Sequence, residues 1–467
     1  MSNLPQNHLV RPAAMVEDEH ALQQSELIRS LLVTTQHYFG GFNQLFSNVS
    51  DRRHPAFITY PLSAVLTTGV LMFLLRLGAR RQVGLMLREN SRSSAKFQAV
   101  FGVETCPHGD TVDEVYKHLD ITEIQDVVSG TVKSLIRKKV LHRHRLHGYY
   151  YMVAIDGTGM LTFSERHCPH CLTMTHNGST TYYHPVLEAK LVSADGLVLS
   201  VMTEFVENPS QYPSKQDCEL KAFYRLADRL KAGFPRLPIC LLMDGLFAGG
   251  PTFSICEKYH WKYIIVLQEG SLPSVQEEFT SLLDHFPQGH IRFCPADRYQ
   301  TVQDFDWVND IEYVDSENNE HTVSVMRCLE STPCRKGGLK TTRHKWITNF
   351  RVKINNVIEL CNEGGRIRWK IENEGFNVQK NGGYKLEHAY TRNPIASKVF
   401  YLLLQVAHTL AQLIERGSLF RKAFPTGVGS AKNLAFRLLE AWRNARISPR
   451  RIEIMLNTRV QIRLNPP

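Results

Sequence analysis

Two stretches constrain this chain more than any others. Tyr149-Tyr150-Tyr151-Met152-Val153-Ala154-Ile155-Asp156-Gly157 and Pro238-Ile239-Cys240-Leu241-Leu242-Met243-Asp244-Gly245 are each a short apolar run closed by Asp-Gly. Aromatic and β-branched residues in runs of this length read as buried strands. An aspartate at the end of such a strand faces a cleft at the sheet edge. Asp-Gly is also a common turn pair, and one such Asp taken alone reads as a turn residue. Two of them on neighbouring strands are different: the carboxylates converge, repel and raise a pKa unless they share a cation.

The surrounding pattern supplies the sheet. After Asp156 come a loop with Cys168-Pro169-His170-Cys171, a β-rich run Tyr182 to Val192, the turn Ala194-Asp195-Gly196, and a second run Leu197 to Val206. Asp-Gly between two β-rich runs is a hairpin signal. Ser214 with Asp217 resembles a capping box before a helix carrying Leu220, Phe223, Ala227 and Leu230. A helix over Phe253 to Tyr259 and a strand over Tyr263 to Leu267 complete the order β-β-β-α-β-α-β, which can form one mixed sheet flanked by helices. Between 290 and 355 the alternation stops, and Phe305 to Val314, His321 to Leu329 and His344 to Ile354 read as strands of an inserted sheet.

The chain of 467 residues is too long for one ordinary core. The expected organisation is a flexible tail over 1–20, an all-α region over 21–147 whose basic residues suit a nucleic-acid partner, a first part of the α/β core over 148–289, and the β-rich insertion over 290–355. A second part of the core over 356–420 and a basic C-terminal region over 421–467, its tail from Arg446 partly strand-like, complete it. Within the helical region, Asp110 reads as an N-cap for a helix over Thr111 to Leu135. Leu62 to Leu75 is apolar but shorter than the ~20 residues a membrane span needs, so it reads as a buried core helix. Hydrophobic residues at 43% exclude a largely disordered chain. The net charge of +10 favours a polyanionic partner. Arg137 to Arg145, including Arg143 and Arg145, reads either as a contact for nucleic-acid phosphates or as a solvated helix end. Ten scattered Cys and no signal peptide suggest reduced thiols in the cytoplasm, nucleoid-associated if DNA is the partner.

A two-carboxylate site of this kind suits Mg²⁺ (or Mn²⁺), and two such ions about 4 Å apart can hold the attacking and leaving oxygens of a phosphoryl transfer. A third carboxylate is then expected on a helix beside the sheet. Glu372 is the candidate, because Arg368 precedes it by four residues on the same face. Glu374 points about 200° around a regular helix from Glu372.

Asp156, Asp244 and Glu372 on this frame resemble the RNase H-like catalytic domain of a DDE transposase from a bacterial insertion sequence, in the branch with a β-rich insertion before the Glu. That branch carries Tyr-x2-Arg-x3-Glu-x6-Lys. Arg368 and Glu372 match its Arg-x3-Glu; the Tyr position is Gly365, and the Lys position is Gln379, with Lys380 one residue later. The resemblance implies a catalytic and metal-binding triad of Asp156, Asp244 and Glu372, with Arg368 and Lys380 near DNA. It implies metal-dependent cleavage and strand transfer at the element's ends, on double-stranded DNA, by a homodimer. An aromatic residue of the insertion, Trp346 or Trp307, can then stack on a flipped base, although both also read as core of the inserted sheet. The alternatives are a catalytically idle DNA-binding descendant and a metal-dependent nuclease on the same fold. Cys168 and Cys171 form half of a zinc site, with His170, His176 or His184 as completing ligands, or else a metal-free loop tip.

Overall fold

The computed structural model describes residues 13–211, 213–285, 289–297, 299–334 and 337–464. The chain divides into two compact units. The first comprises the described residues of Met1–Val127, Gly382–Lys385 and Tyr390–Pro467. It is helical. Leu62–Leu74 is buried along almost its whole length and packs against Pro394–Arg416. No helix among the described residues is long and apolar enough to cross a membrane.

Several boundaries in this unit differ from the sequence expectation. The tail expected over 1–20 is helical from 13 onward, in Ala13–Phe39, and residues 1–12 lie outside the described residues. The single helix expected over Thr111 to Leu135 is two, Gly109–Tyr116 and Ile121–Arg137. His108, not Asp110, caps the first, its ring accepting from the Asp110 N–H. The tail from Arg446 forms the helix Pro449–Asn457 where strand was expected; it follows the helix Ala431–Asn444, and Ser430 and Ser448 are the N-caps. The region from 390 onward, of which 390–420 was expected in the α/β core, belongs with the N-terminal helices.

The second unit, Val128–Asn381 and Leu386–Ala389, is mixed α/β. Among the described residues, its ten strands are β1 Tyr151–Phe163, β2 Leu172–His176, β3 Ser179–Val192, β4 Val198–Phe205, β5 Ile239–Met243, β6 Lys262–Val266, β7 His290–Phe293, β8 Val302–Val314, β9 Glu320–Pro333 and β10 Leu339–Thr348. They form one sheet in the order β2-β3-β1-β5-β6-β10-β9-β8-β7, with β4 also paired to β3. β1 is antiparallel to β3, β3 to β4, and β10 to β6, whereas β1, β5 and β6 run parallel. Most pairings are antiparallel, and helices such as Glu219–Gly233 flank the sheet.

The insertion does not stand apart as expected: β10 pairs with β6 from Thr348↔Ile264 to Trp346↔Val266, so β7 to β10 extend the same sheet. The reason is apolar. β6 is the outer parallel strand, and Ile347 gives it a buried ladder partner. The run Arg137 to Arg145 also lies in this unit rather than with a separate N-terminal domain.

One face of the sheet carries Met152, Ala154, Cys240, Leu242 and Ile264, which pack with Ile367, Ile371 and Phe376 of the segment 357–381. That face also holds a buried ion pair. Glu188 and Lys190 are fully buried on β3, Nζ to Oε2 3.0 Å, and Glu188 also accepts from Ser200 and Thr203. Removing one partner strands a buried charge, at a cost of about 3–5 kcal/mol. Glu188→Ala should therefore lower the urea midpoint strongly, and Glu188→Leu with Lys190→Met should recover most of the loss. Equal destabilisation in both variants would contradict this account of the pair.

Candidate active site

Register brings the first two acids together. β1 and β5 pair in parallel from Tyr151↔Ile239 to Ala154↔Leu242. Continued by two residues, that register sets Asp156 level with Asp244. Side chains alternate along a strand, so Asp156 continues the face of Met152 and Ala154, and Asp244 that of Cys240 and Leu242. β5 ends at Met243, and Asp244 caps the following 3₁₀ turn, its Oδ1 accepting from Leu246 N–H at 3.0 Å. The β1–β5 ladder is therefore open at the level of the two acids.

β1 does not stop at Asp156 as the Asp-Gly pair suggested. It runs on to Phe163 because β3 offers ladder partners throughout, including Glu188 opposite Asp156. Neither Gly of the two Asp-Gly pairs serves a β1 or β5 hairpin. A side chain at Gly157 would meet the Glu219 carboxylate, and one at Gly245 would meet Gln268. Both glycines answer to close approach.

The third acid arrives on the segment that covers this face. Residues 357–381 form a run of α, 3₁₀ and π turns rather than one regular helix. Glu372 is the second residue of the π turn Ile371–Asn377, anchored by buried Ile371 and Phe376. Arg368, 8% exposed, links the acids: Nη1 lies 3.4 Å from Asp156 Oδ2, and Nη2 lies 2.8 Å from Glu372 Oε1. Two carboxylates from elements far apart in sequence thus lie within the span of one guanidinium. Glu374 pairs with Lys370 at 2.7 Å instead.

The electrostatics follow from burial. Asp156 is pushed up to about 7, first by desolvation, then by the charges of Glu372 and Asp244, with Arg368 and the Gly157 N–H opposing. A fourth carboxylate, Glu219, stands at the first turn of Glu219–Gly233 and is likewise raised by burial and by Asp244. The sequence reading missed it by starting that helix at Ser214; the helix starts at Glu219 after Cys218, and Asp217 instead binds Arg225 at 2.7 Å. Asp156 and Glu372 share one guanidinium, and the charge of Asp244 acts on both Asp156 and Glu219, so the acids outnumber the cation. They do not form a closed ligand cluster: among the described residues, the grouping of three or more ligating side chains is His167, Cys168, Cys171 and His184. Arg368 lies between Asp156 and Glu372 instead.

The remaining sequence candidates divide. Lys380 pairs with Glu387 at 2.7 Å, and Gly159 lies near the same Glu387. Arg143 is exposed, and Arg145 binds the His142 carbonyl at 2.9 Å. Trp346 is not available for base stacking. It is 3% exposed, stacked by His344 at 5.7 Å and closed in by Gly365, and Trp307 is buried too. Trp369, next to Arg368 and 59% exposed, lines a cleft of about 670 Å³ with Arg343, Lys345 and Arg366. Cys168 and Cys171 lie outside the acid site, in the loop between β1 and β2.

No protein-family model and no curated protein matches the chain.

Because its folded pKa is raised, Asp156 contributes stability that is present at low pH and lost as pH rises through about 7. In divalent-free buffer, Asp156→Asn should raise Tm relative to wild type at pH 8, by roughly 3–8 °C, and the difference should shrink at pH 5. Thermal unfolding at both pH values checks this; an equal difference at both would contradict it.

Proposed function

We propose that this chain is a DNA transposase of the DDE type, cutting and joining phosphodiesters at the ends of an insertion sequence. The observation that carries the reading is the link from Asp156 through Arg368 to Glu372, with Asp244 in register beside Asp156. Supporting it is the order β4-β3-β1-β5-β6, with the first three antiparallel in turn and the last three parallel, as an RNase H-like core requires.

The donor set fits Mg²⁺ or Mn²⁺: acidic oxygens in excess of positive charge, one of them, Asp156, held near neutrality by burial. Asp156, Asp244 and Glu372 would hold two ions, which when bound supply charge neutralisation and an activated oxygen nucleophile. The chain's own groups do the rest. Asp156 gives up a proton near pH 7 as the site gains positive charge. Arg368 fixes the orientation of Asp156 and Glu372 and offers its guanidinium to a phosphodiester oxygen. Trp369 offers a ring to an unpaired base beside the cleft cations Arg343, Lys345 and Arg366. The exposed run Arg137, Lys138, Lys139 and Arg143 meets DNA phosphates. The substrate is double-stranded DNA, with two ends held by a homodimer.

One observation favours the idle DNA-binding alternative: Arg368 already pairs with two of the acids without any metal ion. Cleavage separates the readings. With Mg²⁺ and DNA bearing the element's terminal repeats, the wild-type chain should nick and join ends. Asp156→Ala, Asp244→Ala and Glu372→Gln should each lose about 10³-fold or more, several kcal/mol of transition-state stabilisation, while DNA binding persists. Binding without cleavage in the wild type would favour the idle protein, cleavage without joining the nuclease, and full activity in all three variants would overturn the site.

A further inference from the structure

The loop between β1 and β2 assembles a second chemistry. His167, Cys168 and Cys171 from this loop meet His184 of β3, with one ligating atom of each within 4.8 Å of the others. The Cys168 and Cys171 sulfurs lie 3.3 Å apart. His184 Nε2 is 3.3 Å from both, and His167 Nδ1 is 3.4 Å from Cys171 Sγ. Four ligands at zinc bond lengths around one centre stand roughly 3.4–3.8 Å apart. Cys171 and His184 are buried, and Cys168 and His167 are half-buried.

The surroundings orient the set. His184 turns Nε2 to the sulfurs while its Nδ1 faces Glu207 Oε1 at 3.7 Å, the carboxylate-histidine arrangement that supports a metal-bound imidazole. The ring of His167 lies on Phe163 at 3.9 Å. Asn208 fixes the loop backbone, its Nδ2 donating to the Cys171 carbonyl at 2.8 Å and its N–H to the His170 carbonyl at 3.0 Å. His170, between the two cysteines in sequence, is turned away: its Nδ1 lies 2.8 Å from the Asn208 carbonyl oxygen.

We propose that His167, Cys168, Cys171 and His184 bind one structural zinc ion. Two sulfurs and two imidazoles in a tetrahedral grouping suit zinc, and four protein ligands leave no open position for substrate. The ion ties the end of β1, five strand positions and more beyond Asp156, to β3 at the level where Leu161 pairs with His184. It therefore braces the long β1–β3 ribbon independently of the acid site.

The test uses the full chain, purified without added metal or chelator, with metal content read by mass spectrometry. One zinc per chain is expected, retained by His170→Ala and lost by His184→Ala and by Cys171→Ser. A strong chelator should lower the wild-type Tm by roughly 5 °C or more, with recovery on adding zinc. Because the Cys171 and His184 variants remove buried side chains, cobalt substitution of the wild type provides a second reading. A tetrahedral spectrum with thiolate-to-cobalt charge transfer supports the site. Folded wild-type protein without zinc, an octahedral cobalt spectrum, a Cys168–Cys171 disulfide in reduced cell extract, or loss of zinc on His170→Ala would each overturn it.

Discussion

The guanidinium of Arg368 is the counter-charge on which the arrangement of the acid site depends. Three strands set carboxylates side by side on one face of the sheet: Glu188 on β3, Asp156 on β1 and Asp244 at the end of β5. Each is kept tolerable in a different way. Glu188 is neutralised outright by buried Lys190 and two hydroxyls. Asp244 accepts a backbone N–H at the start of a turn. Asp156 has Arg368, and because Arg368 also grips Glu372, the same guanidinium pins the covering segment to the sheet. Burial outweighs the charge it supplies, and Asp156 is pushed up to about 7.

Apolar packing decides where that row is laid down. Met152, Ala154, Cys240 and Leu242 alternate toward the segment that carries Ile367, Ile371 and Phe376. The period of two along β1 and β5 then forces Asp156 and Asp244 onto the same side. The mixture of 3₁₀ and π turns in residues 360–377 alters the regular 3.6-residue rotation, yet Arg368 and Glu372 still share a side, as do Lys370 and Glu374.

Much of this was legible in the sequence because it rests on short-range patterns. The two apolar runs, the Asp-Gly pairs and the Arg-x3-Glu spacing each need only a few neighbouring residues; strands form at both runs, and Arg368 pairs with Glu372. What was not legible depends on partners distant in sequence. Asp156-Gly157 read as a turn because nothing local reveals that β3 continues the ladder to Phe163. The β-rich segment read as separate because its docking strand, β10, meets β6 some eighty residues away. The burial of Trp346 follows from that docking. Residues 390–420 read as part of the α/β core because helical periodicity says nothing of which unit a helix joins. Glu219 escaped notice because its importance is its approach to Gly157 across the sheet. For the cysteine pair, His184 was among the ligands weighed, but His167 was not, since a neighbouring His gives no signal until the loop folds back on β3.

The central claim is that Asp156, Asp244 and Glu372 are built to take divalent cations, with Asp156 giving up its proton as they bind. Calorimetric titration of Mg²⁺ into the full chain at pH 7, in two buffers of different ionisation enthalpy, tests it most directly. The account predicts binding whose heat changes with the buffer, reporting proton release, and loss of that buffer dependence in Asp156→Asn. Absence of binding, or a buffer-dependent heat unchanged in Asp156→Asn, would contradict it.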